Sequence, residues 1–333
     1  MKESAIQIRF FKKIKDMLSS SISLVNEVSD LLGISSDSAY RRIRGETVLS
    51  MEELLVLLRH YKLSLDEFDN ADDSVNFTYK LIDNTDITFE KYLTAILDDM
   101  RRIERASQKE IIYAAKDVPL FHHFRFPELA AFKIFFWMKS VLNCPAYEHE
   151  VFDITSVRSE EMELGREILK FYTAVPATEI WTEETLNSTL RQVEYFWESG
   201  FFKARKDALL VCDQLHEMLQ HIKKQAEVGY KYLAHPEASQ EEGNFRLYLS
   251  DVMIGNNNIL VKLGDAQVTY LTHNTLNYLI TTNQDFCRET DSWIKNLMRK
   301  STLLSGASEK QRNQFFRKAQ DNIRELQSRI GSD

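Results

Sequence analysis

The chain is predicted to be mainly α-helical with a smaller α+β part. A run of closely spaced short helices leads into a large helix-rich region that contains a four-stranded antiparallel meander. Three observations predict this. Apolar residues recur at three- and four-residue spacings through most of the 333 residues. Capping residues and glycines cut the first 68 residues into short helices. Between residues 245 and 282 the pattern changes to short runs of β-branched and aromatic residues, separated by "GNNN", "GDA" and "HN".

The elements follow in order. Ile6, Phe10, Ile14 and Leu18 recur every four residues and predict an amphipathic first helix. Ser23 caps a second helix running to Leu32, Gly33 supplies a turn, and Ser35 caps a third that ends at Gly45. "SMEE" from Ser50 is a capping box opening a fourth helix with Leu54, Leu58 and Tyr61 inward, and "SLDE" from Ser64 opens a short fifth ending near Phe68. The acidic stretch "DNADDSVN", residues 69–76, has almost no apolar side chain and predicts a linker between domains at 1–68 and 77–333. In the second domain, helices are predicted over residues 89–106, 119–142, 156–172, 182–197, 205–233, 283–304 and 308–330, and a buried strand at "EIIYAA". The 205–233 helix, with Cys212, Leu215, Leu219, Ile222, Ala226, Gly229 and Leu233 on one seam, would be roughly 45 Å long. The predicted meander consists of "FRLYLSDVMI", "NILVKL", "QVTYLT" and "LNYLITT".

Composition narrows the function classes. A net charge of -8 argues against a protein that coats nucleic acid along its whole surface. The charge is uneven, however: residues 1–62 carry ten Lys/Arg against eight Asp/Glu, so any phosphate contact belongs at the front. Cys144, Cys212 and Cys287 are far apart and form no CxxC, which fits a reducing compartment. The first residues lack the apolar core of a signal peptide, and "LAAFKIFFWMKSVL" is short and broken by Lys133 and Lys139, so a cytoplasmic protein is expected. No two of the ten glycines lie closer than nine residues, which excludes GxGxxG, Walker A and GxSxG loops; HExxH is also missing. No cofactor, metal or catalytic role is expected.

The stretch that carries chemistry is "LLGISSDSAYRRIRGE", residues 31–46. Val28, Leu32, Ile34, Ala39 and Ile43 can form a seam between two helices, with Gly33 at the turn and Ala39 small at the closest approach. That leaves Ser35, Ser36, Asp37, Tyr40, Arg41 and Arg44 pointing outward. This stretch resembles the LGIS…RG segment of the XRE, or lambda-repressor-like, helix-turn-helix family, over residues 6–68. It departs from the family at Ser29, where Ala is common, and at Ala39, where Ile or Val is common. The resemblance implies a five-helix DNA-binding domain whose third helix enters the major groove, with Tyr40, Arg41 and Arg44 near base edges. It further implies that Ser35 and Ser36 meet the DNA backbone and Arg42 meets phosphate. Asp37 is either a helix-dipole residue or an acceptor for cytosine N4. The expected protein is a transcription regulator that binds double-stranded DNA as a homodimer, with a small-molecule or protein effector acting on the large domain. The alternatives are a protein-interaction module, or an enzyme with a DNA-binding regulatory head.

Other candidates are weaker. Cys212 and His216 lie one helical turn apart, a usable metal spacing, but Cys212 also sits on the apolar seam. Asp117, His122 and His123 follow a predicted strand without an identifiable partner. The aromatic segment from Phe121 to Met138 is either core or the lining of an apolar cavity. The seams of residues 212–233 and 316–330 pack either within the chain or between two copies.

Overall fold

The computed structural model describes residues 3–18, 22–61, 63, 75–79, 89–156, 159–234 and 243–332, and it divides the chain into two units, Met1–Asn76 and Phe77–Asp333. In the first unit are helices α1 (Glu3–Met17), α2 (Leu24–Leu32), α3 (Ser36–Ile43) and α4 (Met51–Tyr61). They enclose a core of Phe10, Phe11, Ile14, Val28, Ala39, Leu57, Leu58 and Tyr61. The inward stripe of α1 is Phe10, Phe11 and Ile14; Ile6, expected on that stripe, is 44% exposed. The capping box at Ser50 forms, since the Glu53 amide donates to Ser50 Oγ and the Ser50 amide donates to the Glu53 carboxylate. The short helix expected at residues 64–68 lies outside the described residues.

The second unit is a mixed eight-stranded sheet with helices on both faces. Its strands are β1 (Thr78–Tyr79), β2 (Lys109–Ala114), β3 (Ala177–Trp181), β4 (Phe245–Leu249), β5 (Asn258–Leu263), β6 (Ala266–His273), β7 (Asn277–Thr281) and β8 (Thr302–Leu303). They lie in the order β1-β7-β6-β5-β2-β3-β4-β8. β2, β3 and β4 are parallel, joined by helical crossovers, and the other pairings are antiparallel. The helices are α5 (Phe89–Arg105), α6 (Leu120–His123), α7 (Pro127–Phe136), α8 (Ser159–Ala174), α9 (Glu183–Glu198), α10 (Arg205–Val228), α11 (Gln284–Arg299) and α12 (Glu309–Ser332). Strand alternation assigns side chains to the two faces. Ile111, Tyr113, Ala177, Trp181, Phe245 and Leu247 join the large core that contains α5, α7–α10 and α12. Ile112, Ala114, Ile180 and Leu260 face the other way, against Cys287, Ile294 and Leu297 of α11.

Three sequence expectations change. The meander has three strands, not four: β5, β6 and β7 pair in succession, whereas β4 lies between β3 and β8. "GDA" makes a tight hairpin, with Gly264 at φ 59°, but "GNNN" does not. Asn257 instead accepts the amides of Lys116 (2.7 Å) and Asp117 (3.2 Å), which ties the start of β5 to the end of β2. The helix expected over 119–142 is broken after α6 because Pro127 forces Phe126 into an extended conformation and then opens α7 at its first turn. α10 ends at Val228, about 36 Å long, where Gly229 turns left-handed at φ 78°, so Leu233 is off the seam and 42% exposed. The remaining seam residues of α10 are buried, α10 packs against α12, and Phe316, Ala319, Ile323, Leu326 and Ile330 are buried with them. Those two seams are therefore interior to one chain.

Candidate nucleic-acid interface

The outward face of α3 is built by what holds its inward face. Gly33 at φ 63° turns the chain out of α2, and Ser35 caps α3 by accepting the Ser38 amide at 3.3 Å. Ala39 is fully buried, and Ile34 and Ile43 pack against the same core. Ser29 donates from Oγ to the Ile34 carbonyl at 2.6 Å and so pins the turn itself. Ser35, Ser36, Asp37, Tyr40, Arg41 and Arg44 are all exposed.

The arginines differ in their partners. Arg41 has no ion-pair or hydrogen-bond partner for its guanidinium among the described residues. Arg44 lies 5.5 Å from the centre of the Tyr40 ring, donates to the Tyr40 hydroxyl at 3.3 Å and approaches Glu46 at 3.3 Å. The two side chains form a preassembled aromatic–cation pair on the surface. Arg42 is different. Its guanidinium makes a two-pronged pair with Glu53 of α4, at 2.9 and 2.8 Å, and also donates to the Ser38 carbonyl at 3.2 Å. Arg42 pulls the Glu53 carboxyl below the usual carboxylate range, chiefly through that hydrogen bond. Arg42 therefore locks α3 onto α4, and the expectation that it reaches phosphate is revised: a guanidinium in this geometry is already engaged.

A second concentration of charge lies in the large unit, and the sequence pointed to only one of its members. Glu179, in the middle of β3, is fully buried. One oxygen meets His122 Nε2 at 2.8 Å and the Tyr172 hydroxyl, and the other accepts Trp181 Nε1 at 2.8 Å. Burial alone would raise its pKa; the His122 charge, the hydrogen bonds from His122 and Tyr172, and the Lys231 charge outweigh burial and lower it. Lys231, also buried, donates to the carbonyls of Tyr172 (2.6 Å) and Val175, with its ammonium 3.9 Å from the centre of the Tyr172 ring. Glu179 thus ties β3 to α6 and α8, and Lys231 ties the chain after α10 to the end of α8. The adjoining cavity, lined in part by His122, Gln225 and Lys231, is about 10 Å³, room for a water-sized group. No sequence signal separated Glu179 from an ordinary loop carboxylate, because its partners come from distant elements.

The other candidates resolve as packing. His123 is fully buried, and burial, with Lys133 and His122 nearby, keeps its pKa well below 6.5. Asp117 is partly exposed, its amide bonded to Asn257. Cys212 is fully buried, its thiol pushed up to about 12 by burial, and His216 pairs with Gln220 on its own helix. Among the described residues, no group of three or more His, Cys, Asp or Glu side chains is placed to hold a metal, and no helix is long and apolar enough to cross a membrane. The aromatic stripe is packed core: Phe132 stacks on Phe202 at 5.4 Å and meets Phe152 and Phe196 edge-on. Comparison of the chain with protein-family models, with curated proteins and with solved structures finds no match.

Proposed function

We propose that this chain is a cytoplasmic, sequence-specific DNA-binding transcription regulator that acts as a homodimer and reads DNA with the outer face of α3. The observation that carries the reading is the exposed guanidinium of Arg41, without a partner among the described residues, beside the preassembled Tyr40–Arg44 pair, on a capped helix whose other face is buried. An unpaired arginine on a rigid helix meets the geometric demand of base readout: its two donors can engage guanine O6 and N7 together. Ser36, at the helix N-terminus, suits a phosphate, where backbone amides and the helix dipole both favour negative charge, and Ser35, its hydroxyl engaged by Ser38, would meet that phosphate through its backbone. Asp37, exposed in the first turn, stabilises the dipole.

One such helix contacts only a few base pairs, and a second copy reading a half-site about one helical turn away would supply the remaining specificity. The seams of α10 and α12 are used within the chain, so the two copies meet through another surface. The test is retention of duplexes from a random pool by the full chain at about 50 mM salt, followed by affinity at rising salt. Retention with a steep inverse salt dependence is expected. If no duplex is retained, or if affinity is indifferent to salt, the proposal fails.

A further inference from the structure

We infer that Gln7, on α1, is a positioning residue for the DNA-reading face of α3; this rests on the reading of that face given above. α3 has eight residues, a little over two turns, and is too short to hold its own direction. Its two reading arginines lie at its last turn and just beyond, where the chain leaves for α4. At that exit three backbone groups converge on one side chain. Gln7 donates to the carbonyls of Arg42 (2.7 Å) and Thr47 (2.8 Å), and its Oε1 accepts the Leu49 amide at 3.1 Å. Both amide hydrogens and the carbonyl of the side chain are engaged. The Arg42 carbonyl also accepts the Gly45 amide at 2.9 Å, the bond that closes α3 through the left-handed Gly45. Gln7 therefore grips the turn that aims Arg44, from a helix 35 residues away in sequence.

The residue type is specified by this geometry. Glutamate has no donor for two carbonyls, leucine has neither donor nor acceptor, and asparagine is one methylene short. Arg42 and Glu53 hold the middle of α3, and Gln7 holds its exit. Release of the exit would scatter the guanidinium orientations while leaving their charge in place. Base readout, which needs two aligned donors, would suffer; attraction to phosphate, which needs only charge, would persist.

The test compares a selected duplex with an unrelated duplex of equal length, using the full chain and its Gln7→Leu and Gln7→Glu variants. Gln7→Leu is expected to weaken the selected duplex about tenfold and the unrelated one less than about twofold, with the salt slope retained. Gln7→Glu is expected to show the same loss at pH 7.5 and partial recovery toward pH 5, because the protonated carboxyl regains one donor. Equal weakening of both duplexes, or none, in a variant that circular dichroism shows to be folded overturns the inference. Where a variant does not fold, wild-type amide exchange decides: the Leu49 amide, bonded to Gln7 alone among the described residues, is expected to be protected, and rapid exchange there overturns the inference. If the wild-type chain binds no duplex, the reading of α3 fails and this inference falls with it, whatever the exchange at Leu49.

Discussion

Two clusters of charge in this chain follow opposite rules. On α3, Arg41 is exposed and has no partner among the described residues, and Arg44 is held at the surface by Tyr40 and Glu46. Around β3, Glu179, His122 and Lys231 are buried, and the carboxylate receives hydrogen bonds at both oxygens. Exposed charge on a rigid helix leaves its interaction with a partner still to be made. Buried charge in a closed network has already made its interactions, and removing one member strands the others in low dielectric. The lesson is that burial and pairing, not charge density, separate a surface that recognises from a network that holds a fold. Arg42, one residue from Arg41, shows how local the distinction is, because its pairing with Glu53 places it with the second kind.

This comparison predicts a graded set of effects. The largest falls on the buried network: Glu179→Leu is expected to destabilise the large unit by about 3–5 kcal/mol, read from urea unfolding, since it leaves the buried His122 ring without its hydrogen-bond partner and the buried Lys231 ammonium without a counter-charge. A loss below about 1 kcal/mol would show that the network is not structural. pH probes the same region. Burial holds His221 at about 3, with the Arg125 and His122 charges adding to the effect, against 6.5 for the ordinary side chain. Between those values the unfolded chain takes up a proton that the folded one does not. The contribution of His221 is therefore complete above about pH 6.5 and is lost as pH falls toward 3. His221→Gln should flatten the dependence of the urea midpoint on pH in that window, and an unchanged slope would contradict it.

The intermediate effect belongs to the α3 face. Arg41→Ala should cost about 1–3 kcal/mol of discrimination at one base position while changing stability by less than about 0.5 kcal/mol. Ser35→Ala removes the cap of α3 and should destabilise the small unit by about 1 kcal/mol, seen in thermal melting of that unit. The smallest effect sharpens the contrast within the face itself. Glu46→Gln removes a surface competitor for Arg44 and should strengthen DNA binding slightly, most visibly at low salt; weakened binding would mean that Glu46 orients Arg44.

The sequence made local features legible and distant ones not. The caps at Ser35 and Ser50, the turn at Gly33 and the burial of Ala39 all follow from neighbours within a few residues, and all appear in the structure. The pairing of Arg42 is not legible in the sequence because its partner is eleven residues away on another helix. β3 carries no strand signal because its centre reads Thr178–Glu179, polar residues that suit a buried strand only once Glu179 has His122, Tyr172 and Trp181 around it. The position of β4 is not legible because "GNNN" has the composition of a hairpin turn, whereas Asn257 is bonded to the end of β2. Gln7 gave no signal at all: a lone glutamine on an amphipathic helix looks like any other solvated position until the turn it grips is placed beside it.

The most direct test of the central claim is selection from a random duplex pool with the full chain and with Arg41→Ala, at matched salt and with stability measured alongside. The account predicts a defined preference for the wild-type chain, loss of that preference at one base position for the variant, and unchanged folding. No preference in the wild type, or uniform weakening at every position in the variant, would contradict the assignment of α3 as the surface that reads sequence.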